Sequence, residues 1–296
     1  MKKHLVTLYT RTPLHVGCGT SVDVVDLPIM RERITNFPVI PSTSLKGVLR
    51  EAARQHFGDE KAATTRLLFG EDRKLDSDNG EGGKVTANAG CVQIMEAKLL
   101  AFPVRSLAGC FAWLTCPAAL RRFQRDTDKS FTIPEPRKNQ AIAGAELITN
   151  GHVILEEYAL EATQLPSDRS DRSDLLSALG DLTADPLWSD KLPARLAILH
   201  DEDFQHFVST CTEVVARIVI NPETRTNTNL FNQENVPCEA LFYSVLHVFA
   251  PRRNDSAAAP GDSLAALLKA NPTLQIGGDE TTGHGFCSVH HETLNA

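Results

Sequence analysis

The chain has 296 residues, 42% of them apolar, which is enough to bury a large core as one elaborated domain or as two average ones. A net charge of −7 speaks against a uniformly basic nucleic-acid binder, and seven scattered cysteines without a C-x-x-C pair indicate neither a disulfide framework nor a structural zinc site. The first ten residues alternate like a strand, and no later segment is long and apolar enough to span a bilayer, so we expect a cytoplasmic protein without a membrane partner.

The first predicted elements are a strand and a helix. Residues 3–10 alternate between polar and apolar side chains, which predicts a strand. The segment “PSTSLKGVLREAARQHFG” predicts a helix that one of its first hydroxyl residues caps and Gly58 ends. On one face of this helix Lys46, Arg50 and Arg54 follow at four-residue spacing. Such a cationic stripe is usually a solvated surface; the alternative is a phosphate track beside the helix N-terminus, whose N–H groups favour anions.

The middle of the chain predicts a hairpin and an acidic insertion. Residues 73–90 are polar and glycine-rich, which indicates a mobile loop. Two apolar runs around Gly109 predict a hairpin, and Pro117 then begins a helix. Residues 156–203 carry 12 acidic and 4 basic side chains, and we interpret them as an insertion of surface helices and loops. The remainder carries 26 basic and 25 acidic side chains, which leaves room for a local basic surface.

The last third predicts a projecting hairpin, a short helix and a closing strand. “VVARIVI” and “CEALFYSVLHVFA” are β-prone and flank a long polar turn that contains Arg225, so we expect a hairpin over residues 217–243. A glycine-rich loop, “LQIGGDETTGHGF”, precedes the final strand. It lacks the pattern of a Walker or a dinucleotide-binding loop, so it is either a tight turn or a cradle for a phosphate backbone. The order of elements matches an α+β, ferredoxin-like sheet, a fold with many functions.

Two residues near the N-terminus are candidates for chemistry. Asp26 lies between glycines and two X-Pro steps, where most aspartates only cap a turn or face water. His15 is a candidate general base, because histidine is the usual residue in that role, but a histidine at a strand end is more often packed and hydrogen-bonded.

Several motifs together resemble one family. They are “PLHVGCG”, “VVDLPIMRE”, “FPVIPSTSLKGVLR”, “AFPVRSLAGCFAWLTCP”, “LFNQENVPCEALFY” and “LQIGGDETTGHGF”. They are similar to the RAMP backbone subunit of type III-B CRISPR effector complexes, the Cmr module, and extend from the first strand to the last. The resemblance implies a single RAMP domain, residues 1–296, with an RRM-like palm and a projecting β-hairpin thumb. It also implies a protein that polymerises along a guide RNA and presses its thumb between bases at regular intervals.

The resemblance further implies site residues, a cofactor and partners. Asp26 matches the aspartate that cuts the paired target RNA, either as ligand of a divalent cation, Mg or Mn, or as the base that accepts the 2′-hydroxyl proton. The RNA-binding candidates are Ser42, Ser44, Lys46, Arg50, Arg54, Arg225, Gly277, Gly278, Thr281, Thr282 and Gly283. The implied partners are guide RNA, target RNA, further copies of the chain, a large polymerase-like subunit, a small subunit and other RAMP subunits.

Three alternatives stay open at this point. The nearest is a RAMP scaffold that binds guide RNA without cutting, in which Asp26 only shapes its loop. A sister backbone subunit of type III-A is a close variant. The most distant is a small-molecule enzyme that uses the glycine-rich loop for a nucleotide.

Overall fold

A computed structural model describes residues 2–20, 25–58, 62–71, 89–166, 175–251 and 259–294. The strands are β1 (Lys2–Thr10), β2 (Val39–Ile40), β3 (Val92–Ile94), β4 (Ala97–Arg105), β5 (Phe111–Thr115), β6 (Gln140–Ala143), β7 (Ile148–Thr149), β8 (His152–Leu155), β9 (Tyr158–Gln164), β10 (Leu196–Leu199), β11 (Glu213–Ile220), β12 (Asn227–Asn235), β13 (Leu241–Val248), β14 (Thr273–Gln275) and β15 (Phe286–Leu294). The helices are α1 (Ser42–Phe57), α2 (Ala62–Phe69), α3 (Pro117–Thr127), α4 (Leu175–Gly180), α5 (Pro186–Arg195), α6 (Asp201–Thr210) and α7 (Pro260–Ala270), with short 3₁₀ turns at Ala145–Leu147 and Glu280–Thr282.

Four antiparallel strands form the palm. They lie side by side in the order β15-β1-β13-β4, with α1 between β1 and β4 along the chain and α7 between β13 and β15. This is the β-α-β-β-α-β arrangement of a ferredoxin-like unit. The expected α+β fold with a ferredoxin-like palm is confirmed.

The palm sheet is covered on both faces. Val6 and Leu8 of β1 pack in a core with α1, α2 and α7, whereas Leu5 and Tyr9 pack in a second core with α3, α4 and α5. All residues of β1 from the third onward are therefore buried. Helices cover both sides of the sheet, so successive side chains of β1 point alternately into the two cores and neither face of the strand meets water.

A long insertion separates the second and third palm strands, β4 and β13. It begins with β5, which pairs with β4 across a turn at Gly109 (φ 75°), so the predicted hairpin is confirmed. The predicted helix at Pro117 follows as α3. In the described part of the chain, β10, β6, β9, β8 and β7 then extend the large sheet to thirteen strands.

The acidic segment, residues 156–203, is more than the peripheral insertion that we predicted. Its strand β10 is fully buried between β5 and β6, and Trp188 and Leu192 of α5 lie in the core. β10 is formed by the apolar run “LAIL”, which the acidic composition of the whole segment does not reveal. Charge composition over a window reports surface loops and helix faces, not a short buried strand between them. Residues 167–174 of this segment lie outside the described residues.

The projecting hairpin uses different strands from those predicted. β11 pairs with β12 apart from the large sheet, and we call residues 213–235 the thumb hairpin. “CEALFYSVLHVFA”, expected as its second arm, instead supplies the palm strand β13. The predicted range 217–243 is corrected accordingly. The polar run “NTNLFNQEN”, part of the predicted turn, instead forms β12, because pairing with β11 outweighs the low strand propensity of asparagine.

The start of α1 also differs from the prediction. The helix begins at Ser42, with Pro41 in the N-cap position, and no side-chain oxygen caps it. α7 similarly begins at Pro260, and no side chain caps it at Ala259. Proline at the first helical position, as at Pro260, has no N–H in need of a partner and so suits a helix start. The predicted end of α1 at Gly58 (φ 65°) is confirmed.

The predicted mobile loop at 73–90 lies outside the described residues, apart from its last two positions. All seven cysteines carry free thiols. Within the ranges described above, no helix is long and apolar enough to cross a bilayer.

Candidate nucleic-acid interface

The loop after β1 connects three segments that are distant in the sequence. The N–H of Gly278 donates to the carbonyl oxygen of His15 at 2.9 Å, which attaches the glycine-rich loop, residues 277–285. The N–H of Met30 donates to the carbonyl oxygen of Val16 at 2.7 Å, which attaches the Asp26 loop, residues 25–31. A backbone bridge to the residue after β12 adds the foot of the thumb hairpin. The candidate site is therefore assembled around one short loop at the end of the palm.

Asp26 is half-buried and bonded to the thumb hairpin. Its Oδ2 accepts a hydrogen bond from the N–H of Asn232 on β12 at 2.7 Å. On either side, the N–H of Leu27 donates to the carbonyl of Asn232, and the N–H of Glu234 donates to the carbonyl of Leu27, both at 3.0 Å. Among the residues that the structure describes, Oδ1 of Asp26 has no hydrogen-bond partner. One carboxylate oxygen is held by the protein and the other is available to a ligand.

A buried ion pair fixes the Asp26 loop on the thumb hairpin. Oε1 of Glu234 accepts hydrogen bonds from Nη2 of Arg31 at 2.6 Å and from the hydroxyl of Thr212 at 2.8 Å. Its Oε2 accepts the N–H of Ile29 at 3.0 Å. Only 15% of the Arg31 side chain and 9% of the Glu234 side chain are exposed. The Asp26 loop is thus bonded to β12 at several points, which limits the freedom of the carboxylate.

His15 is packed and hydrogen-bonded, as predicted. Its Nδ1 lies 2.6 Å from the carbonyl oxygen of Glu234. Because a carbonyl oxygen can only accept, Nδ1 carries the proton and donates. A Cβ at Gly17 would lie 2.7 Å from Nε2 of this ring, so the glycine leaves space for the imidazole.

The glycine-rich loop needs glycine where it touches the rest of the molecule. Gly277 has φ 84°, and a Cβ there would lie 2.1 Å from the carbonyl oxygen of His15. Gly283 has φ 83° with open space around it. Gly278 is exposed, as are the predicted RNA-binding residues Thr281 and Thr282 on the 3₁₀ turn. The loop therefore shows a backbone surface to solvent without large side chains in front of it.

The cationic stripe on α1 is divided between two roles. Nη2 of Arg50 donates to the carbonyl oxygen of Phe69 at 2.6 Å, so this side chain holds the end of α2. Arg54 pairs with Glu51 at 3.0 Å. Lys46 is half-buried, and it has no ion-pair partner in the described ranges. Lys46 is therefore the member of the stripe whose charge is most available to a phosphate.

The thumb hairpin exposes aliphatic side chains. Ile218 and Leu230 are cross-strand partners, 57% and 58% exposed. Leu230 precedes Asn232 by two residues, about 7 Å along a strand. Arg225 lies at the tip, with φ 56° and an exposed side chain. The exposed apolar pair of Ile218 and Leu230 thus lies two residues along the hairpin from Asn232, which bonds Asp26.

The structure brings some predicted residues together and separates others. Asp26, the glycine-rich loop and the thumb foot are joined by hydrogen bonds, and β2, which leads to Ser42 and Ser44, bonds to the Asp26 loop through Met30. Arg54 is about 18 Å along α1 from its first turn. Arg225 is at the far end of the hairpin.

Sequence reasoning missed the residues that organise the site. They are Arg31, Arg217, Asn232, Gln233, Glu234 and Asp279. Gln233, Glu234 and Asn235 are consecutive buried polar residues. Such a run in a β-strand is the available signal, because buried polar groups need partners.

A divalent cation fits this site only if RNA and water complete its ligands. Across the described ranges, no three His, Cys, Asp or Glu side chains are grouped as a metal site. Mg²⁺ commonly takes one or two carboxylates together with waters and substrate phosphates. The unpartnered Oδ1 of Asp26 meets that requirement.

Comparisons with known proteins agree with this geometry. Residues 7–288 match the sequence model of the RAMP superfamily. The CRISPR system Cmr endoribonuclease Cmr4 of Pyrococcus furiosus is 38% identical, with 98% of this chain and 95% of that protein covered. The crystal structure of oligomeric Cmr4 from Pyrococcus furiosus has a TM-score of 0.72 at 33% identity and covers 100% of both chains. A chain of the type III-B Cmr-beta complex bound to cognate target RNA shares the fold, with TM-score 0.72, 20% identity and coverage of 98% and 96%.

Proposed function

This chain belongs to the RAMP superfamily, and we propose that it is the repeating backbone subunit of a type III-B CRISPR complex that binds guide RNA and cuts the paired target RNA. The hydrogen bond between Asp26 and Asn232 carries the proposal. It places a carboxylate with one available oxygen at the foot of an exposed hairpin, where a displaced nucleotide can be cut.

The guide is held through its backbone. Lys46 and the uncapped first turn of α1, which contains Ser42 and Ser44, supply a cation and N–H groups for phosphates. The glycine-rich loop supplies a backbone surface that side chains do not obstruct, at Gly277, Gly278, Thr281, Thr282 and Gly283. Sequence is then read by base pairing between guide and target, so the protein needs no base-specific contacts.

The thumb hairpin displaces one nucleotide per subunit. Ile218 and Leu230 form the apolar wedge, since inserting aliphatic side chains between bases offsets the loss of stacking. A nucleotide pushed out of the helical stack can place its 2′-hydroxyl in line with the adjacent phosphorus, which regular stacking prevents. Because the wedge lies about 7 Å along β12 from Asn232, Asp26 meets the distorted linkage.

Cutting proceeds by attack of the 2′-hydroxyl on the adjacent phosphorus. The O2′–P bond forms and the P–O5′ bond breaks, and the departing 5′-oxygen takes a proton from water, which leaves a 2′,3′-cyclic phosphate and a 5′-hydroxyl. The Oδ1 of Asp26 accepts the 2′-hydroxyl proton or holds a divalent cation, while Oδ2 stays bonded to Asn232. A bound Mg²⁺ or Mn²⁺ supplies charge that stabilises the phosphate oxygens as they become more negative.

Repetition and partners follow from the same proposal. Copies of the chain stack along one guide RNA, so that each adds one wedge and one Asp26. Support comes from the oligomeric crystal structure of the Pyrococcus furiosus relative. A large polymerase-like subunit, a small subunit and other RAMP subunits complete a cytoplasmic particle.

One preparation tests this function. The chain is purified with its partner subunits and a defined guide, and a complementary labelled RNA is compared with a scrambled one. We expect copurified guide RNA and products of the complementary RNA at regular intervals. A preparation free of RNA that cuts neither substrate would contradict the proposal and favour the small-molecule enzyme.

The rival function is a guide-binding scaffold without cutting. The hydrogen bond from Asn232 agrees with this function too, because it gives Asp26 a task in fixing its loop whether or not Oδ1 takes part in cutting. The two functions predict different results when the charge of Asp26 is removed in an intact complex: cutting is lost if Asp26 is catalytic and is unchanged if the chain is only a scaffold.

A further inference from the structure

Asp279 joins the glycine-rich loop to both strands of the thumb hairpin. Its Oδ2 accepts a hydrogen bond from Nε2 of Gln233 on β12 at 2.5 Å and another from Nη2 of Arg217 on β11 at 3.2 Å. Nη2 of Arg217 also lies 3.4 Å from Nε2 of His284, near the other end of the loop. Gln233 is buried, with 2% of its surface exposed. One carboxylate thus bridges the loop and the hairpin.

The backbone of Asp279 is committed to the loop itself. It has a left-handed φ of 62°, which aspartate and asparagine tolerate better than most residues. Its carbonyl oxygen accepts the N–H groups of Thr282 at 3.0 Å and His284 at 3.2 Å. The main chain therefore shapes the turn, and the side chain bonds the thumb hairpin.

Gln233 passes this contact on to the Asp26 loop. The residue before it, Asn232, donates its N–H to Asp26, and the residue after it, Glu234, donates its N–H to Leu27. Three consecutive residues of β12 consequently link the glycine-rich loop on one side with the Asp26 loop on the other. Any rotation of the hairpin away from the glycine-rich loop would move Asp26 as well.

We propose that Asp279 is a positioning residue that sets the thumb hairpin on the guide-holding loop and thereby places Asp26 at the linkage to be cut. The inference rests on the function proposed above and adds a residue that no RNA contact requires. A carboxylate aimed at phosphates would repel them, whereas this one bonds Gln233 and Arg217. Cutting should therefore depend on Asp279 while retention of the guide does not.

Two substitutions separate the carboxylate from the backbone. Asp279→Gly keeps the left-handed conformation accessible and removes both thumb contacts. Asp279→Asn keeps an oxygen that can accept from Gln233 and tolerates the same φ. Gln233→Met breaks the hydrogen bond to Asp279 from the other side at similar volume, and it also removes the bond from Gln233 to Oδ1 of Asn235. Glu280→Gln is the matched control for the hydrogen-exchange comparison below, because it changes an exposed carboxylate on the same turn.

Each variant is measured in the guide-loaded complex. The readouts are retained guide, target Kd, and the single-turnover cutting rate at saturating target. We expect Asp279→Gly to lower the rate about 10- to 100-fold with retained guide and Kd unchanged, since a misplacement of about 1 Å can cost 100-fold. Asp279→Asn should rescue most of the rate. Gln233→Met should also lower the rate, and in the Asp279→Gly background it should lower the rate less than it does alone, because the bond between the two residues is already lost.

A second measurement does not depend on cutting. In the free chain, Asp279→Gly should accelerate hydrogen exchange at the amides of Asn232 and Leu27, while Glu280→Gln leaves them protected. Unchanged exchange there, wild-type cutting by Asp279→Gly, or loss of guide from that variant would each overturn the positioning role. Absence of cutting by the wild-type complex would instead contradict the proposed function, and the exchange comparison would still decide the role of Asp279.

Discussion

Replacing Glu234 with alanine tests how strongly the Asp26 loop is held. The change removes the partner of Arg31, whose side chain is 15% exposed, and leaves the hydroxyl of Thr212 and the N–H of Ile29 without their acceptor. Breaking a buried ion pair costs about 3–5 kcal/mol. Arg31 keeps a carbonyl acceptor at Val208, 3.0 Å away, so we expect about 3 kcal/mol, the lower end of that range.

Urea unfolding of the free chain measures this cost as a change in midpoint at constant slope. The control is Glu202→Ala, which removes an exposed pair with Lys138 and should leave the midpoint unchanged. The double variant Arg31→Met, Glu234→Leu should recover most of the loss, because apolar side chains can replace a buried pair. Equal urea midpoints for Glu234→Ala and Glu202→Ala would refute the claim that the Arg31–Glu234 ion pair holds the Asp26 loop.

Three further predictions concern guide binding, the wedge and pH. Lys46→Ala should weaken guide binding and lower the slope of log K against log salt by about 0.7, measured by filter binding; an unchanged slope would remove Lys46 from the guide contact. Replacing both Ile218 and Leu230 with serine should leave the urea midpoint near wild type, since both are more than half exposed, and should slow cutting; cutting at the wild-type rate would rule out the wedge. Burial, together with His291 and Lys2, lowers the pKa of His4 below its usual 6.5. Below pH 6.5 the unfolded chain therefore binds a proton at this histidine more readily than the folded chain does, so the free energy of unfolding decreases as the pH falls. His4→Gln should reduce the drop in urea midpoint between about pH 7.5 and 5.5.

Local signals located several elements of the palm and of the insertion that follows β4. Alternation located β1, Gly58 ended α1, Gly109 closed the β4–β5 hairpin and Pro117 began α3. Each signal acts within a few residues, through side-chain period or through the backbone limits of glycine and proline. The order of these elements was then enough to indicate a ferredoxin-like sheet.

Elements that depend on distant pairing were not predictable in this way. β12 is rich in asparagine and forms a strand because β11 lies beside it, and β10 is buried inside an otherwise acidic segment. Composition averages and propensities are weak where tertiary contacts decide. A turn was therefore predicted where the second arm of the thumb hairpin lies.

In the candidate site, too, local motifs were predictable and contacts between distant residues were not. Asp26 and the glycine-rich loop were found through motifs that resemble a family. The ion pair between Arg31 and Glu234 joins residues 203 positions apart, and the contact between Gln233 and Asp279 spans 46. No local pattern in one sequence reports such pairs, because each residue alone reads as an ordinary exposed polar group.

Cutting by an Asp26→Asn complex is the most direct test of the central claim. Asparagine keeps an oxygen for the N–H of Asn232, so the loop stays in place while the charge is lost. Guide-loaded wild-type and variant complexes are compared on a complementary labelled RNA, with Mg²⁺ and with chelator. We expect regularly spaced products from the wild type with Mg²⁺ alone, and an assembled variant that makes none. Equal products from both complexes would contradict the claim and leave the chain as a guide-binding scaffold.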